Sequence, residues 1–498
     1  MGRWDTGWWL ASMAMVPLVV GCGAGASDSP AVTSREDASA LNAKRPAPTE
    51  VLVPNRFGLS RTMNASGGAL TDPSNPFFQS LGTNGRSCDS CHVPEAGMTV
   101  TPEVVQRRFQ ETAGLDPIFR AVDGSNSPLA DLSTRGARRK AFSMLLDRAL
   151  IRIGIGIPMA TTEFELVSVQ DPYGYASAKE LSLFRRPLPA TNLRFLSTVM
   201  WDGRETFKNP TSPTGFATLH FDLADQSNAA TLGHAQAAVP LNDAQRNAIV
   251  SFEMQLFTAQ AMDRRAGWLD RHGAQGGTAP LPTQEFYFGI NDPLGGDPTG
   301  RPFDPTAMTL YDAWAGPSDD GDADDGHDHG GGHDAADARA AIARGQDIFN
   351  HHPIAITGVS GLNDDLRLAT INGTCTTCHD APNAGDHSVP APLRIGTDLP
   401  DPVGGLDVSG LPVYTLRNLA TGEIKVTTDP GRALITGKWK DVGRFKGPIL
   451  RGLAARAPYF HNGSAATLED VIRFYDERFS LGLTAQQKSD LQAFLSAL

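Results

Sequence analysis

Cysteine is scarce in this chain, with five in 498 residues. Four of them fall in two copies of one string, Cys88-Asp89-Ser90-Cys91-His92 and Cys375-Thr376-Thr377-Cys378-His379, and the fifth is Cys22. None is left over for a disulfide, which excludes the stapled class of small secreted folds. Positive charge is also short. Lys and Arg number 43 against 55 Asp and Glu, a net charge of −12, so there is no basic surplus to neutralise phosphates, which argues against nucleic acid as a partner. Beyond residue 20 there is no run of ~18 apolar residues, so no later segment reads as a membrane span. What is present is globular material, 40% hydrophobic and 20% charged, that can bury a sizeable core. The length gives a prior of about three domains.

The repeated C-x-x-C-H string is the attachment signature of c-type haem. Two thiols at this spacing each form a thioether to the porphyrin edge, and the adjacent His meets the iron as proximal ligand. A thioredoxin-like C-x-x-C wants a βαβ setting and no obligatory His. A zinc ribbon needs its knuckles within about 15–20 residues, and here more than half the chain lies between them. The expectation is two covalently bound haems, on Cys88, Cys91 and His92 and on Cys375, Cys378 and His379.

The start of the chain reads as a targeting signal. Arg3 opens a short basic region, and Trp8 to Val20 form an apolar run too short to span a bilayer comfortably. Val19-Val20-Gly21-Cys22 resembles the bacterial lipobox, in which the Cys is lipidated. Residues 1–21 are then a lipoprotein signal peptide, Cys22 the lipidation site, and residues 22–50 a flexible Ala/Ser/Asp/Pro-rich tether. An ordinary secretory signal cleaved near Ala24–Ala26 is the alternative. Both export the chain, and the first places it in the periplasm, lipid-anchored to the outer membrane.

Further along, Thr101-Pro102-Glu103 is a helix start. Arg135 to Ile151 reads as one helix, with Phe142, Leu145, Leu146 and Leu150 on a stripe. Asn242 and Gln245 form a capping pair for a helix to Gln260 that carries Ile249, Phe252, Leu256 and Phe257. Residues 266–340 read as a connector, rich in Gly and Pro and holding an acidic insertion with His327, His329 and His333. Alternating His and Asp can hold a divalent ion, but nothing fixes ligand geometry there, so a solvated loop is expected. Ala335 to Phe349, a segment capped by Thr467, and one capped by Thr484 with Gln487 are further helices. Asn84-Gly85 and Asn372-Gly373 precede the two haem strings, a weak internal repeat. Strand alternation is scarce. The expected fold is mainly α, with two cytochrome c-like haem domains, 51–265 and 341–498, joined by the long loop-rich connector.

Two further segments carry a resemblance. Trp201-Asp202-Gly203-Arg204, and Leu450-Arg451 followed by Ala457-Pro458-Tyr459-Phe460-His461-Asn462-Gly463-Ser464 and Thr467-Leu468-Glu469-Asp470-Val471, resemble the bacterial di-haem cytochrome c peroxidase and MauG superfamily. The resemblance covers roughly residues 75–265 and 340–498. It implies that the haem on His92 meets peroxide or oxygen and the haem on His379 is six-coordinate and delivers or stores electrons. Trp201 matches the tryptophan that relays electrons between them. The family's sixth-ligand position, counted on from His461, lands on Tyr475, where the ordinary peroxidases carry Met and MauG carries Tyr. A hard phenolate would stabilise ferric iron relative to a thioether. Where the peroxidases place a His that closes the first iron at rest, this chain has Arg108, and no His lies between His92 and His220, so the first haem should be open.

The family also has a Gln followed by a catalytic Glu. Gln226 fits the first, but the second position is Gln236, with His234 beside it. Cleaving a peroxide O–O bond needs a group that moves a proton between the two oxygens. Histidine can do so near neutral pH, whereas Gln236 could orient a ligand but not titrate. Some relatives hold calcium on backbone carbonyls near Arg456 and Pro458. The function expected is a peroxide-dependent di-haem oxidoreductase (hydrogen peroxide as oxidant, a small redox protein or organic molecule as electron donor). An oxygenase using O2 on an organic substrate, and a plain electron-transfer cytochrome with His220 or a Met on the first iron, are the rivals.

Overall fold

The computed structural model describes residues 47–159, 162–208, 216–316 and 332–498. The signal peptide, Cys22, nearly all of the tether, His327 and His329 lie outside them. The fold is mixed α and β, not mainly α. Helix makes up 31% and strand 16%, and the described residues form ten helices and four small antiparallel sheets.

Two of the expected helices show why strand was underread. The capping box at Asn242 is present, with Gln245 N–H donating to the Asn242 side chain at 2.9 Å, but its helix ends at Glu253. Leu256–Asp263 is a strand, hydrogen-bonded between Gly58–Asn64 and Gly267–Trp268 in a sheet that Glu50–Pro54 completes. Leu256 and Phe257 satisfy a helical and a strand pattern equally, and pairing with a segment far away in sequence decides between them. Residues 135–148 form two short helices, Arg135–Ala141 and Ser143–Arg148, that meet at Phe142. Ile151–Ile155 then pairs with Leu181–Arg185, which is buried at every position and so shows no alternation to read.

The two haem strings sit in one continuous body. Val413–Asn418 pairs on one side with Ile424–Thr427 and on the other with Phe164–Gln170, so each half contributes to one sheet. The buried Tyr414 hydroxyl donates to the Ser182 carbonyl at 2.8 Å and accepts from the Ser182 N–H at 2.9 Å. Gly332–His351 packs along the last helix, Ala485–Ser496. The approach is so close that a Cβ on Gly345 would stand 2.0 Å from the Asp490 carbonyl oxygen.

Arg185 holds the most buried ion pairs. Its guanidinium donates to both Asp429 oxygens, at 2.6 and 2.9 Å, and to Asp202 at 2.5 Å, with the three side chains at most 3% exposed. Burial works to raise the Asp202 carboxyl, but Arg185 and Arg204 beside it hold it below the usual carboxylate range. Removing Asp202 leaves a buried cation short of a partner, so Asp202→Ala should cost about 3–5 kcal/mol. Urea unfolding at constant slope measures this, and a loss below about 1 kcal/mol would mean that water reaches the site.

Candidate haem sites

Each haem string folds as the same turn. Cys88–Ser90 and Cys375–Thr377 are single 3-10 turns, and each following His donates its backbone N–H to the first Cys carbonyl, at 3.0 Å for His92 and 3.1 Å for His379. Hydroxyls close both turns. Ser87 N–H donates to Ser90 Oγ at 3.1 Å, and Thr374 N–H to Thr377 Oγ1 at 3.0 Å. This makes the internal repeat stronger than the Asn-Gly pairs suggest, since the local pattern is hydroxyl-Cys-x-hydroxyl-Cys-His in both copies.

Both turns open onto large cavities, with empty volumes of about 1610 Å³ and 1510 Å³ counting their mouths. Cys88, Cys91 and His92 line the first cavity, and Cys375, Cys378 and His379 the second. Because the four thiols face two separate cavities, they form no four-thiol zinc site. His92 Nδ1 donates to the Met98 carbonyl at 3.0 Å and His379 Nδ1 to the Gly385 carbonyl at 2.6 Å. A carbonyl acceptor on Nδ1 fixes the tautomer and leaves Nε2 as the free ligating atom. Burial holds both imidazoles below their ordinary value, hence neutral and able to bind a metal.

The first cavity also carries cations that make no direct ion pair among the described residues, although the Asp386 carboxyl acts on Lys446 through its charge. Arg186 donates to the carbonyls of Arg148, Ala149 and Arg456, Arg456 to that of Ile449, and Lys446 to that of Thr198 at 3.1 Å. Burial lowers Arg186 to about 9, Arg456 to about 10 and Lys446 to about 8. Buried cations beside a cavity that lack a direct carboxylate partner suit an anionic ligand, and the propionates of haem supply two carboxylates. The residues present therefore fit the group. They suit calcium less well, because the Arg456 carbonyl already accepts from the Arg186 guanidinium at 3.2 Å.

The other residues singled out from the sequence fall as follows. Phe216–Gly233 presents Leu223, Gln226, Ser227, Ala230 and Thr231 to the first cavity at helical spacing, and His234 follows at the helix end. His234 Nδ1 donates to Asp123 Oδ2 at 2.5 Å, and the other Asp123 oxygen accepts from Arg86. Burial works to raise the Asp123 carboxyl, but Arg86 and His234 hold it below its ordinary value. Asp123 and Arg86 escaped the sequence reading, since neither belongs to a motif and they lie far from His234 in the chain. Gln236 does not line the cavity; its backbone carbonyl accepts from Thr83 Oγ1 at 2.9 Å. His220 is exposed, and Arg108 donates to the Ser90 carbonyl at 2.7 Å.

Trp201, with Lys446 and Pro448, lines both cavities. Its indole N–H donates to the Arg186 carbonyl at 2.8 Å and its carbonyl accepts from Lys446 N–H at 2.9 Å. Tyr475 lines the second cavity, its ring stacked on Phe479, and its hydroxyl has no hydrogen-bond partner among the described residues. Burial pushes its phenol well above the usual range, a preference that a metal ion at the oxygen would invert.

Compared with known proteins, residues 444–480 match a family model described as RoxA-like, cytochrome c-like. Cytochrome-c peroxidase IdrP2 of Denitromonas iodatirespirans is 34% identical over 146 residues, 27% of this chain and 38% of that protein. Cytochrome c551 peroxidase of Nitrosomonas europaea is 29% identical over 125 residues, 25% of this chain and 30% of that protein. The matched stretches span less than two-fifths of these curated relatives. A MauG-like protein associated with microbial copper homeostasis aligns over 85% of this chain and 86% of its own, at 18% identity and a TM-score of 0.35. These matches imply c-type haem as the cofactor. Over the stretch they share, the chain is similar to proteins named cytochrome c peroxidases, in line with the resemblance its motifs carry.

His461 gives a pH-dependent prediction. It is 2% exposed, its ring centre lies 3.8 Å from that of Phe445 in a stack, and its Nε2 has no hydrogen-bond partner among the described residues. Burial pushes it from 6.5 down to about 4, against a smaller opposite pull from Asp429. The unfolded chain binds the proton first, so this stabilisation is complete above about pH 6.5 and is lost as pH falls towards 4. His461→Gln should flatten the fall in melting temperature between those values. An unchanged slope would mean that other groups set the acid sensitivity.

Proposed function

We propose that this chain is an exported di-haem c-type oxidoreductase whose first site reacts with hydrogen peroxide. The observation that carries the reading is the pair of cavities, each with a Cys-x-x-Cys-His turn in its wall and both bounded by Trp201. Haem held by Cys88, Cys91 and His92, and by Cys375, Cys378 and His379, supplies iron for peroxide binding and electron storage. The chain's own groups do the rest.

Asp123 keeps the proton on His234 Nδ1, which leaves Nε2 as the base facing the cavity. Arg86 fixes the carboxylate that performs this orientation. Gln226 lines the same wall and can hold an oxygen ligand in register without titrating. In the second cavity Tyr475 would give the metal an oxygen donor, which favours the oxidised state. Trp201 provides the path between the two. Electrons come from a small redox protein or an organic donor, and the acidic chain suits a basic protein. Export, with a lipid on Cys22 holding the protein at the outer membrane in the periplasm, rests on the sequence alone.

Met200 supports a second reading. It lines the first cavity next to Trp201, and a thioether bound there would make the chain an electron-transfer cytochrome.

Stopped-flow mixing of the ferric protein with one equivalent of hydrogen peroxide tests the proposal. A rapid Soret shift to a long-lived oxidised state is expected. No change within seconds would remove the peroxidase reading and direct attention to the ferrous protein with O2. A ferric spectrum that is wholly low-spin would favour the Met200 reading.

Two variants sharpen this test. Trp201→Phe should shorten the life of the oxidised state by about tenfold or more, a loss of at least ~1.4 kcal/mol in the barrier that protects it. Tyr475→Phe should alter the ferric spectrum of one haem and leave the other unchanged. If neither variant differs from the parent, the relay and the ligand assignment both fall.

A further inference from the structure

Glu253 is a buried acid in the first cavity that neither the motifs nor the preceding reading uses. It ends the Asp243–Glu253 helix and lines the cavity one turn beyond Ile249, on the same helix face. Only 7% of the residue is exposed, and its carboxyl makes no hydrogen bond or ion pair with a described residue. The cations of this wall are engaged elsewhere. Arg86 is on Asp123, Arg185 on Asp202 and Asp429, and Arg204 on Asp202, while Arg186, Arg456 and Lys446 sit on backbone carbonyls. The rings of Phe77, Phe78 and Phe252 pack against each other beside it, and Cys88 is close enough to feel its charge.

Burial alone pushes this carboxyl up to about 8, so it holds its proton at neutral pH. A carboxyl buried without a partner destabilises the fold, and an apolar or amide side chain would be easier to accommodate. Keeping an acid in such a place makes physical sense if the proton itself is used. The same cavity holds the opposite arrangement, a histidine whose Nδ1 is tied to a carboxylate. Two titratable groups with environments this different divide acid from base.

We propose that Glu253 is the general acid of the first site and gives its proton to the departing oxygen of peroxide. The inference rests on the peroxide reading of this cavity. The O–O bond breaks with its electron pair going to the departing oxygen, which already carries one hydrogen and leaves as water with the Glu253 proton. The proton on the retained oxygen passes to His234 Nε2. The redox donor supplies two electrons and the solvent two protons. One of these protons, with the one His234 gives back, turns the retained oxygen into a second water, and the other reloads Glu253.

Glu253→Gln keeps the shape and removes the proton, and Glu253→Asp keeps the proton on a shorter arm. Stopped-flow of the holoprotein with hydrogen peroxide should show the rate constant falling at least tenfold in the Gln variant and partly recovering in the Asp variant. Thermal unfolding of the same proteins should show the Gln variant melting higher than the parent at pH 8. Infrared spectra at pH 7 should show a protonated-carboxyl band in the parent that the Gln variant lacks. A parent that reacts with peroxide and a Gln variant that matches its rate would overturn the acid role while leaving the peroxide reading intact. A parent with no reaction would overturn both. Absence of the carboxyl band in the parent would overturn the acid role whatever the rates.

Discussion

Arg185 is the interaction on which the geometry between the cavities depends. It ends a strand of the first half, grips Asp202 directly after Trp201, and chelates Asp429 in the second half. The same guanidinium lies 5.8 Å from the ring centre of Phe445, which stacks on His461, and His461 meets Trp201 edge-on at 6.4 Å. A buried cation with two carboxylates is an unpromising source of stability, since desolvation offsets most of its attraction. Its value here is registration. The charges can be satisfied in only one relative placement of the three segments, and that placement puts the indole against both cavities.

Much of the candidate site was legible because its parts are local. The haem turns need a fixed spacing of two thiols and an imidazole, and their hydroxyl caps are written into the same six residues. The capping boxes at Asn242, Thr467 and Thr484 are equally local, and all three start helices in the structure. The strands were not legible for the converse reason. Leu256–Asp263 and Val413–Asn418 each take one partner from far away in sequence, Gly58–Asn64 and Phe164–Gln170, and Leu181–Arg185 is buried at every position. Periodicity has no information about such partners, so the fold was expected to be more helical than it is.

The same division holds within the cavity. His234 and Gln226 could be picked out because a family pattern passes through them. Asp123, which determines what His234 can do, comes from a loop with no pattern of its own and is recognisable only once the chain has folded. Glu253 falls inside the helix expected to run to Gln260, and it is a residue type for which exposure is the usual outcome. Its burial follows from the helix stopping there: Leu256 turns into the sheet, and Phe252 packs on Phe77 and Phe78.

The two cavities differ in kind, and the difference assigns their work. The first is walled by arginines, Asp123, His234 and Glu253, so charge and mobile protons surround whatever binds there. Among the described residues, the second has no carboxylate and no arginine in its wall, which is mostly aliphatic and aromatic, with Lys446, histidines, two threonines, the two haem-string cysteines, Tyr459 and Tyr475. Peroxide cleavage must move protons as well as electrons, whereas storing an oxidising equivalent requires that water and protons stay away. An apolar wall also magnifies each charge change at the metal, so a single oxygen ligand weighs more there than it would in a polar site. Proton chemistry on one side and electron storage on the other then need one connection that conducts electrons and leaves protons behind. An indole whose N–H is tied to a backbone carbonyl at 2.8 Å meets that requirement, and Trp201 occupies the position.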